Sequence, residues 1–302
     1  MMVVEIPEAK KVFYVPENLG ECDGKQYLDI CKLLYWLNFG IISEEEFKSM
    51  AVYVLLGLNW KKEIYKTEGF IPEEDLPKWE NVFKISEILD SFFDRTEDKK
   101  TGKVTMTVNQ LFIHNHNPVY SLYSLFRKYY GPEEGFANVL FGQYLDGLEE
   151  FIDFTQSGEI QSLRNLFAIF YLPKGEIYNK RKSLQRAKRM FRFVDIRNLY
   201  GMFVFFNAFQ NYMMSGEISV MGQTIDLEII FKDVDPKQKK SSIPGLGWIT
   251  TAQDLAESGV FGAYDNVRKT EMWPIILRLY DLKKRAFDDK QKEESDKNKN
   301  QS

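Results

Sequence analysis

Between Gly247 and Ala286 the chain reads GWITTAQDLAESGVFGAYDNVRKTEMWPIILRLYDLKKRA, a stretch that packs three helix starts together and holds no catalytic group. Thr251 with Asp254 three residues on reads as an N-cap followed by an acidic first turn. Gly259 closes that helix, Asp265 opens a short one, and Thr270-Glu271 opens the last, with Pro274 in its tolerant first turn. Apolar anchors recur between the polar steps: Trp248, Leu255, Val260, Phe261, Tyr264, Val267, Trp273, Ile276, Leu277 and Tyr280. That spacing suits a small helical cluster built for docking.

Upstream, Lys11 to Val15 predicts a short strand stopped by Pro16, and a helix follows from about Gln26 to Phe39. Ser43 with Glu46 forms the capping box of a second helix ending near Gly57, and the short link between the two makes them an antiparallel pair. A third helix is expected over roughly Leu76 to Phe93, then a charged turn over Asp94 to Lys103 and an alternating strand over Val104 to Val108. Helical spacing returns at Ala137 to Phe154 and Glu159 to Tyr171, and one or two helices with a break near Arg197 carry the chain to about Met214. Ile218-Ser-Val220 and Ile225-Asp-Leu227 are spaced to pair across a turn at Met221-Gly-Gln223.

The fold class expected is mainly α (α+β), a multi-helix core with two small β elements and a C-terminal helical block. Residues 1–235 form the expected core, 236–246 a polar linker, 247–288 the docking block and 289–302 a charged, disordered tail. On this reading the block is separable from a core that stays soluble without it.

Composition narrows the function classes. Of 302 residues, 15% are aromatic, with 24 Phe and 16 Tyr, which favours large buried contacts in bundles or at interfaces. A net charge of −4 gives no overall basic field for nucleic acid. The charge is uneven, however: Lys174 to Arg197 is rich in cations, among them Arg181, Arg186 and Arg189, and reads first as a solvated face, next as a patch for an acidic protein partner and last as a nucleic-acid contact. Cys22 and Cys31 have no metal-ligand or redox spacing. No apolar run approaches membrane-spanning length, and the N-terminus lacks a secretory pattern, so a cytoplasmic protein is expected.

The two histidines, His114 and His116, flank Asn115 and lack the companion ligands a metal nuclease needs, so a loop bonding its own backbone is expected. Phosphate-cradling, metalloprotease and nucleophile-elbow motifs are missing from the sequence. The expectation is a protein that is not an enzyme and takes no cofactor or metal.

Four passages carry a resemblance: Ile42-Ser-Glu-Glu-Glu-Phe47 leading to Tyr53-Val-Leu-Leu-Gly57, Gly135 to Tyr144, Leu163 to Pro173, and Gly247-Trp248 to Leu279. In their order and their Gly, Trp and Phe landmarks they resemble tail-assembly-chaperone-like proteins encoded beside the tape-measure gene of tailed phages and prophages. The resemblance implies a non-enzymatic assembly factor in the bacterial host cytoplasm that keeps a long helical tape-measure protein soluble. The partner-binding residues expected are Trp248, Phe261, Tyr264, Trp273, Arg181, Arg186 and Arg189, with self-association left open. The rival readings are a virion structural protein, such as a tail or connector subunit, and an enzyme with an unrecognised site.

Overall fold

The computed structural model describes residues 1–6, 11–57, 80, 84–87, 89–97, 104–108, 112–122, 127–220, 223–230 and 246–299. The chain is mainly helical with small antiparallel sheets, and it divides into two compact units. The first comprises Met1–Phe112 and Asp195–Phe205, and the second Ile113–Val194 and Phe206–Ser302. Among the described residues no helix is long and apolar enough to cross a membrane.

In the first unit, β1 (Met2–Ile6) pairs antiparallel with β2 (Lys11–Val15). The helix α1 (Gly24–Asn38) starts at a capping box in which the Asp23 carboxylate accepts from the Gln26 amide and the Gln26 side chain accepts from the Asp23 amide. A second box, Ser43 with Glu46, starts α2 (Glu44–Leu55), and Gly57 follows its end at φ +64°, as the sequence indicated. The two helices pack together, burying Tyr27, Ile30, Cys31 and Leu34 from α1 and Phe47, Met50 and Ala51 from α2. The Tyr27 hydroxyl donates to the Gly201 carbonyl at 2.7 Å, and Arg197 reaches Asp29 at 2.9 Å, so residues after Asp195 complete this core.

Of the expected third helix, Lys84–Glu87 is helical and Leu89–Phe92 forms a 3-10 turn, whereas 76–79, 81–83 and 88 lie outside the described residues. Phe93 instead opens β3 (Phe93–Glu97), which pairs with β4 (Val104–Val108). The charged segment from Asp94 was expected to be a turn. Pairing overrides its composition: Asp94, Arg95 and Thr96 face Thr107, Met106 and Thr105, whose ladder satisfies their backbone groups.

The second unit carries a sheet the sequence did not reveal, β5 (Val119–Leu122), β6 (Arg127–Tyr130) and the two-residue β7 (Leu172–Pro173), in that spatial order. Its helices are α3 (Phe141–Ser157), α4 (Ile160–Phe170), α5 (Lys180–Arg189) and the part of α6 (Ile196–Ser215) from Phe206 onward. The hairpin of β8 (Glu217–Val220) and β9 (Gln223–Asp226) follows as expected, with Ile218 opposite Ile225. After it come α7 (Leu246–Glu257), α8 (Tyr264–Lys269) and α9 (Met272–Lys299).

Phe206 is fully buried among aromatic rings, with Phe136, Tyr144, Phe151 and Phe170 at 5.8, 5.7, 5.3 and 5.5 Å. Close approach to α3 depends on its glycines. A Cβ at Gly147 would stand 2.5 Å from the Phe170 ring, and one at Gly142 would stand 2.8 Å from the Arg268 carbonyl oxygen. The first gap lets the end of α4 seat against α3, and the second admits the end of α8.

The C-terminal block is therefore not a separate body. It belongs to the second unit, where the Phe141 amide donates to the Thr270 carbonyl at 2.8 Å and the Met272 amide to the Val139 carbonyl at 2.9 Å. The boundaries expected at 235 and 247 thus give way to two discontinuous units, and the expected linker, 236–246, lies outside the described residues except for Leu246, which opens α7. Thr251 is inside α7, which begins five residues earlier because Leu246 and Trp248 extend the apolar pattern. Gly259, at φ +71°, does follow the end of α7, and Asp265 lies in the first turn of α8 with Ala263 at the cap. The tail expected to be disordered from 289 continues α9 through Lys299, consistent with the helix-forming Lys, Gln and Glu that fill it.

Candidate partner-binding surface

A buried carboxylate fixes the start of α5. Asp146 projects from α3 at the turn after Gly142, and its side chain is only 6% exposed. It accepts from the Tyr178 hydroxyl at 2.7 Å and the Arg268 guanidinium at 2.8 Å, and Lys180 stands 3.1 Å away. Three donors, two from the entry to α5 and one from α8, meet there, which satisfies a charge that would otherwise be costly to bury. Burial, then the Asp146 carboxylate, pushes the Tyr178 phenol far above its ordinary range, so Tyr178 remains a donor.

Arg186 fixes the other end of α5. It is 7% exposed, donates to the Ala168 and Tyr171 carbonyls at 3.3 and 3.1 Å, and pairs with Glu176. The guanidinium caps the end of α4, where carbonyls lack helical partners. Arg186 was expected to contact a partner together with Arg181 and Arg189, and the structure assigns it to the interior instead. Its position explains this, since Ser183, Arg186 and Ala187 form the buried side of α5.

The opposite side of α5 is uncompensated. Arg181, Lys182, Lys188, Arg189 and Arg192 are exposed, and among the described residues none of them meets a carboxylate at ion-pair distance. Arg192 lies over the Phe193 ring at 4.3 Å. Phe193 is 73% exposed and Ile177 82%, so large apolar side chains stand at both ends of the cationic face. Along it runs an open cleft of about 430 Å³ lined by Lys180, Arg181, Leu184, Gln185 and Lys188.

Reversing the three arginines separately is expected to divide them. Arg186→Glu should lower stability by about 3–5 kcal/mol, because it leaves Glu176 facing a like charge and two carbonyls without a donor. Arg181→Glu and Arg189→Glu should stay within about 0.5 kcal/mol of the parent, as exposed charges do. Thermal melts of the three purified variants measure the split.

Of the aromatic residues expected to bind a partner, Trp248 and Trp273 are used within the unit. Trp248 packs against Phe141 and Tyr144 at 6.1 and 5.3 Å, while Trp273 donates its indole N–H to the Gly135 carbonyl at 2.8 Å and meets Phe209 at 6.3 Å. Tyr264 and Phe261 are half-buried, and the Arg268 guanidinium lies 5.9 Å from the Tyr264 ring. Tyr144 and Phe209, themselves 6.4 Å apart, bring Trp248 and Trp273 to one aromatic cluster.

Elsewhere the chemistry is local. His114 and His116 meet edge to face at 5.0 Å, and the buried Asn115 between them donates to the Pro132 carbonyl at 2.6 Å and accepts from the Asn117 amide at 2.9 Å, so it is Asn115 that bonds the loop's own backbone. Cys22 and Cys31 are buried and unlinked, and burial pushes the Cys22 thiol up to about 12. Among the described residues no group of three or more His, Cys, Asp or Glu side chains is placed to hold a metal.

Glu150, on α3, accepts from Asn165 at 3.0 Å, and its carboxyl pKa is raised chiefly by burial, against the lowering effect of that hydrogen bond. A raised folded pKa means that its contribution is present in acid and lost as pH rises through that pKa. Glu150→Gln should therefore raise the melting temperature near neutral pH and change it little in acid. A paired pH series of melts checks the sign.

Comparisons with protein-family models, with curated proteins and with solved structures returned no match to this chain.

Proposed function

We propose that the chain is a non-enzymatic assembly factor for phage tails, which holds a long helical tape-measure partner through the exposed face of α5. The observation that carries the reading is the set of unpaired cations from Arg181 to Arg192, bounded by exposed Ile177 and Phe193. Stability does not require these groups, because the structural charges of the same segment, Lys180 and Arg186, already have carboxylate partners. Cations beside exposed apolar side chains suit a protein partner that is itself charged and amphipathic. The charged rim also suits a factor that keeps an aggregation-prone chain in solution.

Co-expression with the product of a neighbouring tape-measure reading frame tests the reading. The expected result is a soluble complex in cells and no copy of this chain in purified particles. A fixed copy number in finished particles would instead support the rival reading, a tail or connector subunit.

A further inference from the structure

We infer that the cleft along α5 is a docking groove for an acidic amphipathic helix, which places an apolar side chain over Leu184 and carboxylates against Arg181, Lys188 and Arg192. The inference rests on the assembly-factor reading and adds the chemistry of the segment recognised.

The geometry begins with spacing. Arg181, Gln185, Lys188 and Arg192 are separated by four, three and four residues, so those on α5 share one side of the helix and Arg192 continues the series into the turn beyond it. Leu184 lies between them in the wall of the cleft. An apolar side chain entering there would be bracketed by cations, and each cation would find an acid on the partner's flanks. Helix-in-groove recognition has this form, with apolar anchors at helical spacing and charges that fix orientation.

Two other polyanions are disfavoured by the same surface. A nucleic acid presents phosphates at regular intervals to basic side chains, and it gains little from exposed Ile177 and Phe193 or from an apolar wall at Leu184. An anionic membrane would accept Phe193 and Ile177, but it offers no side chain spaced to enter the open cleft at Leu184.

The test uses the full chain and a fluorescein-labelled synthetic helix of about twenty residues, roughly 30 Å long, with Leu along one side and Glu flanking it. Fluorescein-labelled single-stranded DNA and phosphatidylserine-containing vesicles are run beside it. Three variants are compared with the parent: the triple reversal Arg181→Glu, Lys188→Glu and Arg192→Glu; a matched triple reversal at exposed Lys25, Lys128 and Lys292; and Leu184→Ala. Melting curves show whether each variant is folded.

The expected result is saturable binding of the helix that weakens with salt, falls at least tenfold in the first variant, persists in the second, and falls severalfold in Leu184→Ala without added salt sensitivity. Equal losses in both triple reversals would overturn the inference, since they would reduce it to overall charge. Tighter binding of DNA or vesicles than of the helix would overturn it too, as would no binding of the helix. If the first triple reversal still keeps a co-expressed tape-measure protein soluble, the groove is wrong and the assembly role stands; if the parent chain also fails there, the assembly role falls.

Discussion

Removing residues 246–302 is expected to leave the second unit without a stable fold, so that the shortened chain collects in the insoluble fraction. The sequence alone suggested the reverse, a soluble core that merely loses its partner. The structure changes the expectation because Leu255, Met272, Ile275 and Ile276 are buried, and because Trp248 and Trp273 cover Tyr144, Phe141 and Phe209. Four such side chains at about 1.5–3 kcal/mol each already match the whole stability of a typical domain, about 5–15 kcal/mol. Two backbone hydrogen bonds, Phe141 to Thr270 and Met272 to Val139, are lost with them. Expression of the truncated chain, with soluble yield and a thermal melt, measures the effect. A soluble product with a cooperative melt would mean that the block is separable after all.

Asp146→Ala is expected to cost about 3 kcal/mol and to loosen the seating of α5. The substitution leaves the half-buried Tyr178 hydroxyl without its acceptor and removes the carboxylate shared by Arg268 and Lys180. Arg268 and Lys180 are 26% and 40% exposed, so water relieves part of the penalty and the upper end of the range for buried pairs is not reached. Combining Asp146→Ala with Arg268→Ala should cost less than the sum of the single changes, because each removes the same contact. Additive losses in a double-mutant cycle would show that Arg268 contributes elsewhere.

Local signals were readable where the chain writes its own boundary. Ser43 with Glu46, the pairing of Val220 with Gln223, and the glycine after α7 are each settled by a few neighbouring residues, and each is in place. Signals failed where a distant segment decides. Asp94 to Glu97 reads as a turn by composition and becomes a strand only because Val104 to Val108 lies beside it. The β5 to β7 sheet depends on Tyr129 and Tyr130 finding Pro173 and Leu172, more than forty positions away, which no local spacing announces.

The same division governs the candidate surface. Sequence located the basic stretch, but it treated Arg181, Arg186 and Arg189 alike, since nothing local reveals that Arg186 caps the carbonyls of Ala168 and Tyr171. The aromatic anchors of the C-terminal block show correct helical spacing for a cluster, and the cluster they form is with α3 and α6 of their own unit. Asp146 was overlooked. Its signal was Gly142, one helical turn earlier on the same side, which marks where another segment comes close enough to place Arg268 against a buried acid.

The central claim, that the exposed face of α5 holds a tape-measure partner during tail assembly, is tested most directly by placing a photo-crosslinking residue at Gln185 in phage-producing cells. Mass spectrometry of the crosslinked product identifies what lies over the cleft. The account predicts crosslinks to an acidic, helical segment of the tape-measure protein in assembling cells and none in purified particles. Crosslinks that persist in finished particles to tube or connector subunits, or crosslinks to nucleic acid, would contradict it.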